Sequence, residues 1–134
     1  MKHPPHIAVI GAGIAGLACA TALQRAGLTV SVFDKSRGAG GRMSTRRGDG
    51  WQCDHGAQYF TARDPAFRAE VQRWCEAGSA APWTPRLVSL PHDLPAAAPT
   101  QVEVERFVGT PRMTAPAVFL AGGLTVATDT TIEQ

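Results

Sequence analysis

Three glycines constrain this chain more than any other feature. Gly11, Gly13 and Gly16 fall in the order G-x-G-x-x-G within HIAVIGAGIAGLACATALQRAGLTVSVFD, residues 6–34. Ile7–Ile10 is a short apolar run and reads as a buried strand. A helix is expected over Ile14–Ala26, with small Ala20 and apolar Leu23 facing a sheet and Gly27 at its C-terminal cap. Leu28–Phe33 reads as a second strand, closed by Asp34.

Each glycine has a physical task in such a unit. Gly11 permits the tight turn out of the strand, Gly13 lets backbone approach a pyrophosphate, and Gly16 lets the helix pack closely. The turn and first helical residues, Gly11, Ala12, Gly13, Ile14, Ala15 and Gly16, then offer free N–H groups and a partial positive charge to phosphate oxygens. Asp34 lies 23 residues beyond Gly11, where an acid accepts from ribose hydroxyls. It would repel a 2′-phosphate, so the spacing points to FAD or NAD rather than NADP.

The next segment, KSRGAGGRMSTRRGDG at residues 35–50, holds five glycines and five cations: Lys35, Arg37, Arg42, Arg46 and Arg47. A cationic glycine-rich loop directly after a ribose-binding acid suits further dinucleotide contacts. Arg42 is placed to pair with a diphosphate, and the Gly40-Gly41 backbone to approach a ligand closely. A solvated basic loop fits the same composition, and an RNA-binding arm fits less well because no aromatics interleave the cations. Residues 51–63, WQCDHGAQYFTAR, put small Gly56 and Ala57 before Gln58, Tyr59 and Phe60. That suits backbone passing over a flat ring with Gln58 as a polar anchor. A strand and turn with Tyr59 and Phe60 in the core suits it too. His55 beside Asp54 reads as a hydrogen-bonded surface residue.

Asp64-Pro65 is a helix start, and Phe67, Val71, Trp74 and Cys75 form one apolar stripe ended by Gly78. Prolines recur from Pro82 to Pro99, so no helix runs through there. Leu87–Leu90 and Val102–Val108 are expected as an antiparallel strand pair, Ala115–Ala121 as a short helix, and Leu124–Ile132 as a last strand.

At 134 residues the chain is long enough for a real core, and 44% hydrophobic with 18% charged residues suits a globular protein. A formal net charge of +2 is too small to imply a nucleic-acid partner. Cys19, Cys53 and Cys75 are odd in number and lack C-x-x-C spacing, which suggests reduced thiols in the cytoplasm; Cys19 reads as core. No stretch is long enough to span a membrane, and no set of residues has metal-ligand spacing.

The fold class that follows is α/β: a Rossmann-type βαβ start, then part of an interrupting α+β substrate domain. Residues 1–62 are expected to form the N-terminal part of the dinucleotide domain and 63–123 the beginning of the substrate domain. A strand in 124–134 would return to the first sheet, so the chain reads as the front part of a longer protein.

The glycine fingerprint, DKSRGAGGRMSTRR at 34–47, DHGAQYFTARD at 54–64 and VGTPRMTA at 108–115 resemble the bacterial renalase-like proteins of the flavin-containing amine oxidase superfamily. The resemblance implies noncovalent FAD. Its pyrophosphate would lie at Gly13–Gly16, its ribose at Asp34 beside Lys35, its diphosphate by Arg42 next to Gly41, and its flavin near Gly56, Ala57, Gln58 and Tyr59. It also implies a small-molecule substrate such as a dihydronicotinamide dinucleotide, with electrons passing to oxygen. No nucleophile, paired acids or metal set stands out, so no catalytic residue is assigned. An NAD-dependent dehydrogenase and a non-catalytic nucleotide-binding module are the other classes. The first would show regular βα alternation after Asp34, which is absent.

Overall fold

A computed structural model describes residues 5–86 and 104–133. The expected βαβ unit forms as β1 (His6–Ile10), α1 (Ile14–Arg25) and β2 (Thr29–Phe33). β1 and β2 pair in parallel, with Val9 opposite Val32. Gly27 adopts a φ of +83° just beyond α1, the left-handed conformation that closes a helix. Leu17 and Ala20 on α1 and Val30 and Val32 on β2 are buried in one core cluster, with Leu23 packed against it. Cys19 is exposed on α1, against the expectation that it is core. It lies between the buried positions Leu17 and Ala20, so the helical period turns it away from the sheet.

The chain leaves this unit at Asp34 and returns to it much later. α3 (Ala115–Ala121) packs on α1 and delivers the chain to β7 (Thr125–Ala127), which pairs in parallel with β2. The sheet order is β1-β2-β7. The late strand therefore takes the place of the third strand in a Rossmann sheet, outside β2. It is shorter than the expected Leu124–Ile132. Beyond Ala127 the chain follows Asp34 and Ser36 through isolated hydrogen bonds: Thr130 N–H donates to Asp34 O at 2.9 Å, and Asp129 N–H to Ser36 O at 3.0 Å.

Between β2 and α3 lie two antiparallel hairpins and a helix. After a single 3₁₀ turn, Gly41–Met43, β3 (Thr45–Gly48) pairs with β4 (Trp51–Asp54). This hairpin corrects the reading of residues 35–50 as loop throughout. Its sequence lacks the apolar alternation that marks a strand because every residue of β4 is exposed. The Asp49-Gly50 turn, with Gly50 at a φ of +71°, is the local signal that marks it. β5 (Ala80–Trp83) pairs with β6 (Arg106–Gly109), Pro82 opposite Phe107. The expected partner Leu87–Leu90 lies outside the described residues. The strand that does pair with β6 contains a proline, which a two-stranded ribbon tolerates on its free edge.

α2 (Pro65–Glu76) starts as expected. The Asp64 carboxylate caps it, with Oδ1 accepting from Ala66 N–H and Phe67 N–H, each at 3.0 Å. Val71 and Trp74 are 1% and 2% exposed. The Trp74 indole N–H donates to Glu70 at 2.9 Å, so its burial leaves no polar atom unpaired. Phe67 stays 36% exposed at the open end of the stripe, where it meets Trp74 edge-on and Phe60 at a tilt. Phe60 stacks on Phe107 and joins α2 to β6. At Cys75, burial and then the charges of Glu105 and Glu76 push the thiol above its ordinary value, which favours the protonated form. No described helix is long and apolar enough to cross a membrane.

Burial should hold α2 more strongly than its cap. Trp74→Ala is expected to cost about 3–5 kcal/mol and Asp64→Ala about 1 kcal/mol. Urea unfolding monitored by circular dichroism checks that order, and equal losses would contradict it.

Candidate functional site

The glycine turn is built from both sides. Gly11 has a φ of +106°, so the chain can leave β1 at once, and its N–H donates to Phe33 O at 2.7 Å. A Cβ on Gly16 would collide with the Gly11 carbonyl, so the helix starts this close only with glycine there. Gly13 is the N-cap of α1, and no side chain caps that end. The first-turn N–H groups of Ile14, Ala15 and Gly16 are therefore left without a side-chain acceptor.

The 35–41 loop folds back over this turn. Gly40 N–H donates to Ala12 O at 3.0 Å, and Gly13 and Gly40 form an isolated parallel bridge. A Cβ on Gly41 would lie 3.0 Å from the Gly13 Cα, whereas one on Gly13 would meet nothing nearer than the Gly41 Cα at 3.8 Å. Two bare backbones thus face one another with room on the Gly13 side.

Asp34 locks the assembly. Its Oδ2 accepts from Ala12 N–H at 2.6 Å, and its Oδ1 from Ser36 N–H at 2.7 Å. Its own N–H donates to Ala127 O at 2.9 Å. Partial burial acts to raise this carboxyl. The N–H groups of Ser36 and Ala12, the Ser36 hydroxyl and the Lys35 charge outweigh that and hold it below its ordinary value. Asp34 stays ionised, and its carboxylate retains acceptor capacity beyond these two bonds. Beside it lies a cavity of about 340 Å³ lined by Gly11, Asp34, Lys35, Gly41 and residues 130–132, among others. It opens at the carboxyl ends of β1, β2 and β7, where ligands of open α/β sheets sit. Thr130, Thr131 and Ile132 were not legible as site residues, because only the long-range pairing of β7 brings them there.

The second group of expected residues gathers separately. Ala57 N–H donates to Arg42 O at 2.8 Å, and a Cβ on Gly56 would strike that same carbonyl. The Gly41–Met43 turn and the Gly56–Ala57 backbone are thus packed together. Arg42 and Gln58 are exposed. Tyr59 is 43% exposed, against the alternative reading that puts it in the core. It leans toward the β5–β6 hairpin, 5.7 Å from the Trp83 ring, with the Arg106 guanidinium 5.3 Å from its centroid. None of Arg42, Gly56, Ala57, Gln58 and Tyr59 lines the cavity beside Asp34. His55 meets the Ser44 hydroxyl at 3.3 Å, the hydrogen-bonded role expected of it. Asp54 was not singled out, yet its Oδ1 accepts from the Thr45 hydroxyl at 2.5 Å and from Met113 N–H at 3.1 Å, tying the β3–β4 hairpin to the segment before α3.

The donor set suits a dinucleotide: open glycine backbone at a helix N-terminus, and an ionised acid at the end of the second strand. Comparison with known proteins agrees. Residues 9–74 match the family described as NAD(P)-binding Rossmann-like domain. The chain is 34% identical over 75 residues to an L-amino-acid oxidase of Bothrops pauloensis, covering 54% of this chain and 15% of the oxidase. It is 43% identical over 75 residues to L-amino acid oxidase Bs29 of Bothriechis schlegelii, with the same two shares. A solved putrescine oxidase bound to putrescine aligns with a TM-score of 0.44 and 35% identity, over 58% of this chain and 18% of that one. The match therefore spans a small part of these relatives' length.

The lowered Asp34 pKa makes stability depend on pH. Its contribution is full above the unfolded value, about 3.9, and is lost as pH falls through the lower native value. Asp34→Asn should destabilise the chain at pH 7, and the gap from wild type should close on acidification below about pH 4. Urea midpoints across that range check this; a gap that stays constant would contradict it.

Proposed function

We propose that this chain is the FAD-binding front of a renalase-like oxidoreductase, which passes hydride from a reduced nicotinamide-type or amine substrate to flavin and then electrons to oxygen. The observation that carries the reading is the Asp34–Ala12 clamp, which holds an ionised acid against an open glycine turn. In this reading Gly11–Gly16 hold the pyrophosphate on the N-terminus of α1. Asp34 and Lys35 take the adenosine ribose. Gly41 and Arg42 meet the diphosphate, and the segment from Gly56 to Tyr59 lies along the ring. The similarity to L-amino-acid oxidases, which covers 54% of the chain, supports a flavin over a nicotinamide as resident cofactor. The motifs at 34–47, 54–64 and 108–115 support the renalase-like assignment within that group.

Hydride acceptance is chemistry that a bound isoalloxazine supplies. The residues described here bind and orient. Asp34 rejects a 2′-phosphate by its charge, and the glycine turn leaves backbone free to contact phosphate oxygens. Holding a donor against the ring and excluding water require cover on both ring faces. Residues 63–123 are proposed as the beginning of that cover, and residues 1–62 with the strand in 124–134 as the dinucleotide half. Three free thiols support a cytoplasmic setting.

Flavin fluorescence titration tests the assignment. Gly13→Val should abolish FAD binding, because the side chain would fill the open side of the glycine turn. Arg42→Ala should weaken it by about 10- to 100-fold, as for loss of a charge-assisted hydrogen bond. The Arg46→Ala/Arg47→Ala pair should leave it unchanged. Equal FAD retention by folded Gly13→Val would overturn the reading.

A further inference from the structure

A second cavity, of about 550 Å³, lies across the 36–39 loop from the one beside Asp34, with Ser36 lining both. Arg37 from the loop, Arg46 and Arg47 from β3, and Arg112 from the segment before α3 all line it, together with His55 and Ser44. One segment, 37–47, and the distant Arg112 therefore bring four guanidinium-bearing residues to one concavity. Among the described residues none of the four is ion-paired, whereas Arg68 pairs with Glu105 and Arg73 with Glu70. The nearby acid Asp54 is already engaged by Thr45 and Met113. Like charges gathered without counter-charge repel one another, and that repulsion is relieved by a bound anion.

We infer that this cavity is a binding site for a phosphate-bearing small molecule, separate from the dinucleotide cleft. Its volume lies in the range of small-molecule sites. Guanidinium groups present planar, two-pronged donors that match phosphate oxygens, and the serine and threonine hydroxyls of the lining add neutral donors. A single-stranded nucleic acid is disfavoured because the cavity wall carries no Phe, Tyr or Trp ring to stack successive bases, His55 being its one aromatic side chain.

The test is calorimetric titration of the chain in saturating FAD, which occupies the glycine turn, with inorganic pyrophosphate, and with citrate and a short single-stranded oligonucleotide as parallel arms. Pyrophosphate should bind, and more tightly than citrate. The Arg46→Ala/Arg47→Ala pair and, independently, Arg112→Ala should each weaken it at least tenfold, because they reach the cavity from different elements. Arg25→Ala, on α1 and away from the cavity, should change nothing. Circular dichroism verifies folding of each variant, and should the hairpin pair unfold, Arg112→Ala decides alone. No binding of pyrophosphate, binding that survives Arg112→Ala, citrate binding as tight as pyrophosphate, or binding of the oligonucleotide alone would each overturn the inference.

Discussion

The structure depends on one carboxylate. Asp34 stands where β2 ends, and its two oxygens each accept a backbone N–H, from Ala12 in the glycine turn and from Ser36 in the loop that follows. Its main chain bonds to Ala127, at the end of the strand that returns from the far end of the sequence, and to Thr130 just beyond it. One residue thus joins the first turn, the second strand and the third. Hydrogen bonds to a charged acceptor contribute about 1.5–3 kcal/mol each, more than a typical backbone pair. Asp34 therefore serves architecture as well as recognition. A substitution there should disturb the turn that would hold phosphates, not only a contact to ribose.

Around that clamp, close backbone approach does the rest. Gly16 must lack a side chain because the Gly11 carbonyl occupies its place. Gly56 must lack one because the Arg42 carbonyl does. The same device thus appears at the start of α1 and where the cationic loop meets the 56–59 segment. Both contacts bring polypeptide backbone against backbone at positions where a side chain would not fit. On the other side of the loop the same stretch of arginines turns toward a different concavity. One glycine-rich segment therefore presents two unlike surfaces.

Much of this was legible in the sequence, and the reasons for the rest are physical. The βαβ unit was legible because its glycine spacing and apolar runs are local. α2 was legible because Asp64-Pro65 and the Val71–Trp74 stripe encode start and face together. The β3–β4 hairpin was not, because an exposed two-stranded ribbon carries no burial pattern and its cations read as solvated loop. β6 was recognised, but its pairing with β5 was not, since β5 is built from small residues and a proline. Asp34 was legible as an acid at the right spacing, but its bond to Ala12 was not, because side-chain capture of a backbone amide leaves no periodic signal. Thr130, Thr131 and Ile132 enter the site only through a strand pairing that spans most of the chain.

The central claim is that the ionised Asp34 carboxylate organises the glycine turn. Amide resonances of Ala12 and Ser36, followed by NMR through an acid titration, test it directly. Both should shift together, with one midpoint below the ordinary aspartate value, and both should stop titrating in Asp34→Asn. Amides that do not move, or that titrate with separate midpoints near the ordinary value, would contradict the account.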